Sequence, residues 1–119
     1  MKIIVCGGRN YRDQRTVDQA LSHLHAQQPI RLVVHGGCSG ADKLASDWAE
    51  RMGIPLCVFP AHWQAHGRSA GPKRNGWMLE YIEVDAVIAF PGGAGTANMV
   101  KQAEAAGVTV RGFGDQVHG

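Results

Sequence analysis

Charged side chains are scarce in this 119-residue chain: twelve Lys and Arg and ten Asp and Glu make up 18% of it, against about 25% in an average soluble protein. The formal net charge is only +2. A surface for extended nucleic acid shows as clustered Lys and Arg with a strongly basic balance, so no such partner is expected and any anion site must be local. Cysteine is also sparse. Cys6, Cys38 and Cys57 have no C-x-x-C spacing and sit in or beside apolar runs, which suggests neither a zinc site nor a disulfide framework and reads as free, buried thiols. No apolar run approaches the roughly 18 residues of a membrane span. The run at 2–6 stops at Gly7-Gly8, too short for the apolar core of a signal peptide. The expectation is a cytoplasmic protein with no membrane partner.

Hydrophobic residues, in contrast, make up 45% of the chain, enough for one buried core at this length. Five apolar runs of strand length lie at residues 2–6, 31–35, 55–59, 85–90 and 109–112. They are nearly continuous rather than alternating, as in strands buried on both faces. Between them are helical spacings: Val17, Ala20, Leu21 and Leu24, then Leu44, Ala45, Trp48, Ala49 and Met52 ahead of Gly53. A third helix is predicted to start at Pro72 and to carry Met78, Leu79 and Ile82, and a fourth to run over 96–106 with Met99, Val100 and Ala103 inward. Strands alternating with helices give right-handed crossovers and a parallel sheet. The predicted fold is α/β: one Rossmann-like, three-layer domain over residues 1–112, with about five parallel strands and helices on both faces. Residues 113–119 read as a short, poorly ordered tail.

Sixteen glycines are about twice the usual share, and three groups each follow a predicted strand: Gly7-Gly8, then Gly36-Gly37 with Gly40, then Gly92-Gly93 with Gly95. All three therefore fall at the carboxyl edge of the sheet, where helix N-termini turn unpaired N–H groups toward a shared crevice. Glycine lets a backbone turn tightly and approach a phosphate. Each pair alone is equally compatible with a tight turn. Thr96 follows the Pro91-Gly92-Gly93-Ala94-Gly95 loop and is placed to cap the next helix and donate its hydroxyl to a phosphate oxygen. Arg9 and Asn10, after the first strand, are candidate contacts to phosphate or sugar, although Arg9 is also suited to a surface ion pair. The dinucleotide fingerprint is missing: C-G-G-R-N-Y is not G-x-G-x-x-G, and the second run ends at His35 rather than at an acid. A complete dinucleotide held as in dehydrogenases is disfavoured.

The longest predicted connection, residues 60–72, carries His62, Trp63, His66 and Arg68, with Lys73 and Arg74 just beyond. A connection of that length is usually functional. Cations in a first helical turn oppose the dipole unless an anion offsets them, so Arg74 is predicted to face the ligand. Trp63 suits stacking on a base or packing between helix and sheet. His62 and His66 have i, i+4 spacing, but no Glu follows the first, so neither a metal site nor a cofactor is expected. His35 reads equally as a structural histidine or a ligand contact.

The segments C-G-G-R, V-H-G-G-C-S-G-A-D-K-L-A, A-G-P-K-R-N-G-W-M-L and F-P-G-G-A-G-T resemble, in order, the YspA-type branch of the SLOG superfamily. That superfamily also groups lonely-guy phosphoribohydrolases with the DNA-processing protein DprA. The resemblance implies a nucleoside monophosphate or related ligand whose phosphate is held by Gly92, Gly93, Gly95 and Thr96, and the related enzymes suggest a homodimer. In the enzymes the signature continues P-G-G-x-G-T-x-x-E, and the glutamate is taken to assist cleavage of the base–ribose bond; this chain has Met99 there. Their R-K-x-x-M motif is met by Arg74-Asn75-Gly76-Trp77-Met78, with Asn75 in place of lysine. Hydrolysis of an N-glycosidic bond needs a carboxylate near the oxocarbenium-like state. Asp42 is the candidate substitute, and it also suits a helix first turn on dipole grounds. The leading reading is a nucleotide-binding or sensing domain for a nucleoside monophosphate or an ADP-ribose-like molecule. The alternative is a phosphoribohydrolase using Arg74 and Asp42. A DprA-like binder of single-stranded DNA, whose affinity falls steeply with salt, comes third.

Overall fold

The computed structural model describes residues 1–114. Its strands β1 (Lys2–Cys6), β2 (Leu32–His35), β3 (Leu56–Val58), β4 (Ala86–Ala89) and β5 (Thr109–Gly112) form one parallel sheet in the order β3-β2-β1-β4-β5. The helices are α1 (Gln14–Gln27), α2 (Ala41–Met52), α3 (Trp63–His66), α4 (Ala70–Tyr81) and α5 (Ala94–Ala105).

The central strands are apolar throughout because both faces are covered. Along β1, Ile3 and Val5 pack with Leu21 and Leu24 of α1 and Trp48 of α2, whereas Ile4 and Cys6 pack with Met78 of α4 and with Met99 and Ala103 of α5. Side chains two apart share a face, so this division makes the three layers of the predicted α/β fold. No described helix is long and apolar enough to cross a membrane.

Burial on both faces fails at the sheet margins. In β3, Leu56 and Val58 are exposed, and β5 is exposed along most of its length. An edge strand has one neighbour, and the helices of a small domain settle over the middle of the sheet. The 60–72 connection is also more ordered than predicted, since it contains α3 and a 3₁₀ turn at Gly67–Ser69. Helix α4 begins at Ala70, so Pro72 is its third residue; proline is tolerated there because first-turn N–H groups have no intrahelical acceptor. Helix α5 begins at Ala94 with Gly93 as N-cap. Thr96 is therefore a first-turn residue and not the cap.

Of the predicted tail, Phe113 packs beside the Phe90 ring at 6.2 Å and donates its N–H to the Ala89 carbonyl at 2.9 Å. Residues 115–119 lie outside the described residues.

The chain runs outward from β1 through β2 to β3, then returns to the other side of β1 and runs out through β4 to β5. Successive loops consequently leave toward opposite faces at β1 and β4. In open α/β sheets this switch point, at the carboxyl ends of the strands, is where a crevice opens.

Candidate functional site

Backbone hydrogen bonds lock the three glycine loops together at the switch point. The Gly8 N–H donates to the Pro91 carbonyl at 2.8 Å, and the Gly8 carbonyl accepts from the N–H groups of Tyr11 (3.2 Å) and Ala41 (3.1 Å). Ser39 Oγ donates to the Arg9 carbonyl at 3.1 Å. Beside this junction lies a cavity of about 440 Å³, within the usual size of small-molecule sites.

Most sequence candidates line this cavity. The β1 loop contributes Gly7, Gly8 and Arg9, and the β2 loop with α2 contributes Gly36 and Asp42. Trp63, Arg74 and Asn75 come from α3 and α4, and Gly93, Gly95 and Thr96 from the start of α5. Asn10, Gly37, Gly40, Pro91 and Gly92 are not in its lining. Pro91 and Gly92 instead pack on the β1 loop, with the Gly92 backbone against Gly7 and Gly8, so the first half of the P-G-G-A-G-T segment braces the second.

Asp42 enters the first turn of α2 and is buried. Its Oδ2 accepts from the N–H groups of Gly36 and Cys38, both at 3.1 Å, and lies 4.0 Å from His35 Nδ1. Burial pushes its carboxyl above the usual aspartate value, against the pull of the Cys38 N–H, His35, Arg74 and the Gly36 N–H. This carboxylate already shapes the β2 loop. His35 Nδ1 accepts from the Gly37 N–H at 2.9 Å, which leaves Nε2–H to donate to Ser46 Oγ. That pairing requires a neutral ring, so the structural role of His35 prevails.

Burial lowers the His35 pKa below 6.5 and Arg74 lowers it further, while Asp42 opposes them. The folded-state value lies below the unfolded one, so stability from this ring is complete above pH 6.5 and lost as pH falls toward the folded value. Nitrogen-15 shifts are expected to show the Nε2–H tautomer and a midpoint under 6.5. A midpoint above 6.5 would contradict the assigned hydrogen bonds.

Arg74 is 8% exposed. Its Nε donates to Asn75 Oδ1 at 2.9 Å, and its Nη1 to the carbonyls of Gly36 (2.8 Å) and Phe59 (3.4 Å). No carboxylate among the described residues lies within 4.0 Å of it. The guanidinium rests directly on Gly36, where a Cβ would lie 2.1 Å from Nη1; only glycine admits this approach. Burying such a charge is costly unless a partner offsets it, and the open side of the cavity is where an anion would fit.

The start of α5 is open to such an anion. Asp13 caps α1 by accepting from the Thr16 N–H, and α2 has Asp42 in its first turn. Helix α5 has no acid in its first turn and no side-chain cap. The N–H groups of Ala94, Gly95 and Thr96 have no intrahelical acceptor, and they stand at the positive end of the helix dipole.

Around the mouth, Trp63 is half exposed, with the Arg9 guanidinium 5.4 Å from its ring centroid. Arg68 also lines the opening. His66 turns elsewhere, its Nδ1 3.3 Å from Lys73 Nζ and its ring edge-on to Trp77.

Two further residues line the cavity: Cys38, read from the sequence as a buried thiol but only partly buried, and Asn98, which sequence reasoning passed over. Asn98 Oδ1 accepts from Asn75 Nδ2 at 3.1 Å and from Gln102 Nε2 at 2.7 Å. The signal was present: Asn98 and Gln102 form an i, i+4 polar pair next to the Met99 and Ala103 core stripe. Cys6, at the cavity floor, has its thiol pushed up to about 12 by burial and by Asp42, so it is not a nucleophile at neutral pH.

Residues 1–66, more than half of the chain, match the model of the YspA, cpYpsA-related SLOG family. The chain belongs to this family. The curated Gene 61 protein of Mycobacterium phage D29 is 36% identical over 123 residues, covering 97% of this chain and 98% of the phage protein. The crystal structure of TM1055, a target of the Northeast Structural Genomics Consortium, matches with a TM-score of 0.72 over 92% of this chain and 71% of that one. At 22% identity that likeness speaks for the fold alone. In this SLOG domain Met99 is fully buried among Ile4, Met78 and Ala103, so the position at which the resembling enzymes keep a glutamate carries core packing here.

Proposed function

We propose that this SLOG domain binds a nucleoside monophosphate or a related nucleotide, including ADP-ribose-like molecules, and acts as a sensor of it. The phosphate sits at the start of α5, held by the N–H groups of Gly95 and Thr96, the Thr96 hydroxyl and Arg74. The observation that carries the reading is the contrast in charge. The first turn of α2 holds a carboxylate, that of α5 holds none, and a buried arginine with no carboxylate within 4.0 Å among the described residues lines the same cavity. Trp63, the one aromatic side chain in the lining among the described residues, supplies a face for the base.

A second reading, hydrolysis of the base–ribose bond, rests on Asp42 as the sole carboxylate in that lining among the described residues. Its Oδ2 is held by two backbone N–H groups, which favours binding over turnover. Thermal shift and calorimetry with AMP, adenosine, ADP-ribose and NAD, followed by chromatography of each mixture, test both readings. Stronger stabilisation by AMP than by adenosine, without free adenine, is the expected result. Released adenine that disappears in Asp42→Asn would establish the hydrolase, and no response to any of the four would overturn the nucleotide reading.

A further inference from the structure

The Arg74-Asn75 pair contains two polar side chains side by side in one buried turn of α4, and they do different things. Arg74 keeps its Nη2 without a partner among the described residues, and it lines the cavity. Asn75 is 4% exposed and its amide is spent. Its Oδ1 accepts from Arg74 Nε at 2.9 Å, and its two Nδ2 hydrogens go to the Gly95 carbonyl at 3.3 Å and to Asn98 Oδ1 at 3.1 Å. An amide nitrogen has two donors, so none is left for a ligand. One side chain therefore touches both the guanidinium and the first turn of α5.

We infer that Asn75 is a positioning residue, which sets Arg74 and the Gly95 turn at a fixed spacing so that one phosphate group meets both. This rests on the phosphate site proposed above and assigns a division of labour within it: Arg74 contacts the anion and Asn75 acts through Arg74. Two further bonds stiffen the arrangement. Gln102 Nε2 donates to Asn98 Oδ1 and to the Pro72 carbonyl at 3.0 Å, so α4 and α5 are tied at both ends of the bridge. The long-range geometry explains why asparagine serves here. It is short enough to stay within the α4–α5 contact, and it offers an acceptor to one partner and donors to two others. A lysine at this place has no acceptor for Arg74 Nε.

The experiment is a double-mutant cycle on AMP affinity, with adenosine as the phosphate-free reference, using Arg74→Ala, Asn75→Ala and the double variant. Asn75→Ala alone is expected to weaken AMP about tenfold, as for a lost buried hydrogen-bond contact, and to leave adenosine unchanged. In the Arg74→Ala background it is expected to add nothing, since residues acting through one another are non-additive. Full additivity would mean that Asn75 contacts the ligand itself and would overturn the inference, as would unchanged AMP affinity in Asn75→Ala. If the unmodified chain binds no AMP, the nucleotide reading fails, and hydrogen exchange at Arg74 Nε–H still decides the role of Asn75. Exchange that accelerates in Asn75→Ala supports the tether, and unchanged exchange refutes it. Should Asn75→Ala not fold, Asn75→Leu keeps the volume and is read in the same ways.

Discussion

Gly40→Ala is expected to lower the stability of the domain by about 4 kcal/mol. Two costs combine, each of about 1–3 kcal/mol: a side chain in a backbone region essentially reserved for glycine and a steric insertion. Gly40 has φ +77° and ψ −130° as N-cap of α2, and a Cβ there would stand 2.1 Å from the Gly8 carbonyl oxygen and 2.5 Å from the Arg9 carbonyl carbon. Both obstacles are backbone, and the Gly8 carbonyl is already fixed by the Tyr11 and Ala41 N–H groups. Nothing nearby can rotate aside. Gly53→Ala provides the comparison, because that residue also has a positive φ of +69° but no atom within 4 Å of a new Cβ. Its loss should stay near 1 kcal/mol, the steric cost of the left-handed conformation alone. Urea unfolding of both variants measures the difference. Equal losses would mean that the packing of the β1 and β2 loops does not limit the fold.

Arg74→Ala is the second large effect, this time on binding. A charge-assisted hydrogen bond contributes about 1.5–3 kcal/mol, so AMP affinity should fall roughly 10- to 100-fold while adenosine is little affected. Arg74→Lys is expected to recover only part of the loss, because a lysine ammonium lacks the planar fork that reaches the Gly36 carbonyl, Asn75 and a phosphate together. Calorimetry with the two ligands separates the phosphate contribution from everything else. Equal losses for AMP and adenosine would place Arg74 away from the phosphate. A matched loss in Gly36→Ala, where the new Cβ would displace the guanidinium, would support the same placement by a route that leaves the charge intact.

The layered fold was legible because its cause is local. Strands covered on both faces must be apolar at every position, and Ile3, Ile4, Val5 and Cys6 show that pattern in a single run. The same rule overreached at Leu56 and Val58, since the apolar run at 55–59, on a sheet edge, reads like a central strand until its neighbours are known. The short helix α3 left no signal because four residues give no periodicity.

At the site, the order of strands and glycines pointed to the carboxyl edge of the sheet, where the cavity opens. The sequence marks Arg74 as a first-turn cation, but α4 begins at Ala70, so Arg74 lines the cavity from the second turn. What each glycine does was not legible. Gly92 braces the β1 loop and Gly36 makes room for a guanidinium 38 positions away, and both roles depend on contacts between loops distant in sequence. Asn75 and Asn98 escaped a full reading for the same reason. Their hydrogen-bond partners lie on different helices, so only the folded chain shows that the donors of Asn75 are spent.

A crystal structure of the chain with AMP is the most direct test of the phosphate site. The expected result is a phosphate group within hydrogen-bond distance of the Gly95 and Thr96 N–H groups and of the Arg74 guanidinium, with the adenine toward Trp63. A phosphate bound elsewhere on the molecule, or adenine at the start of α5, would contradict it.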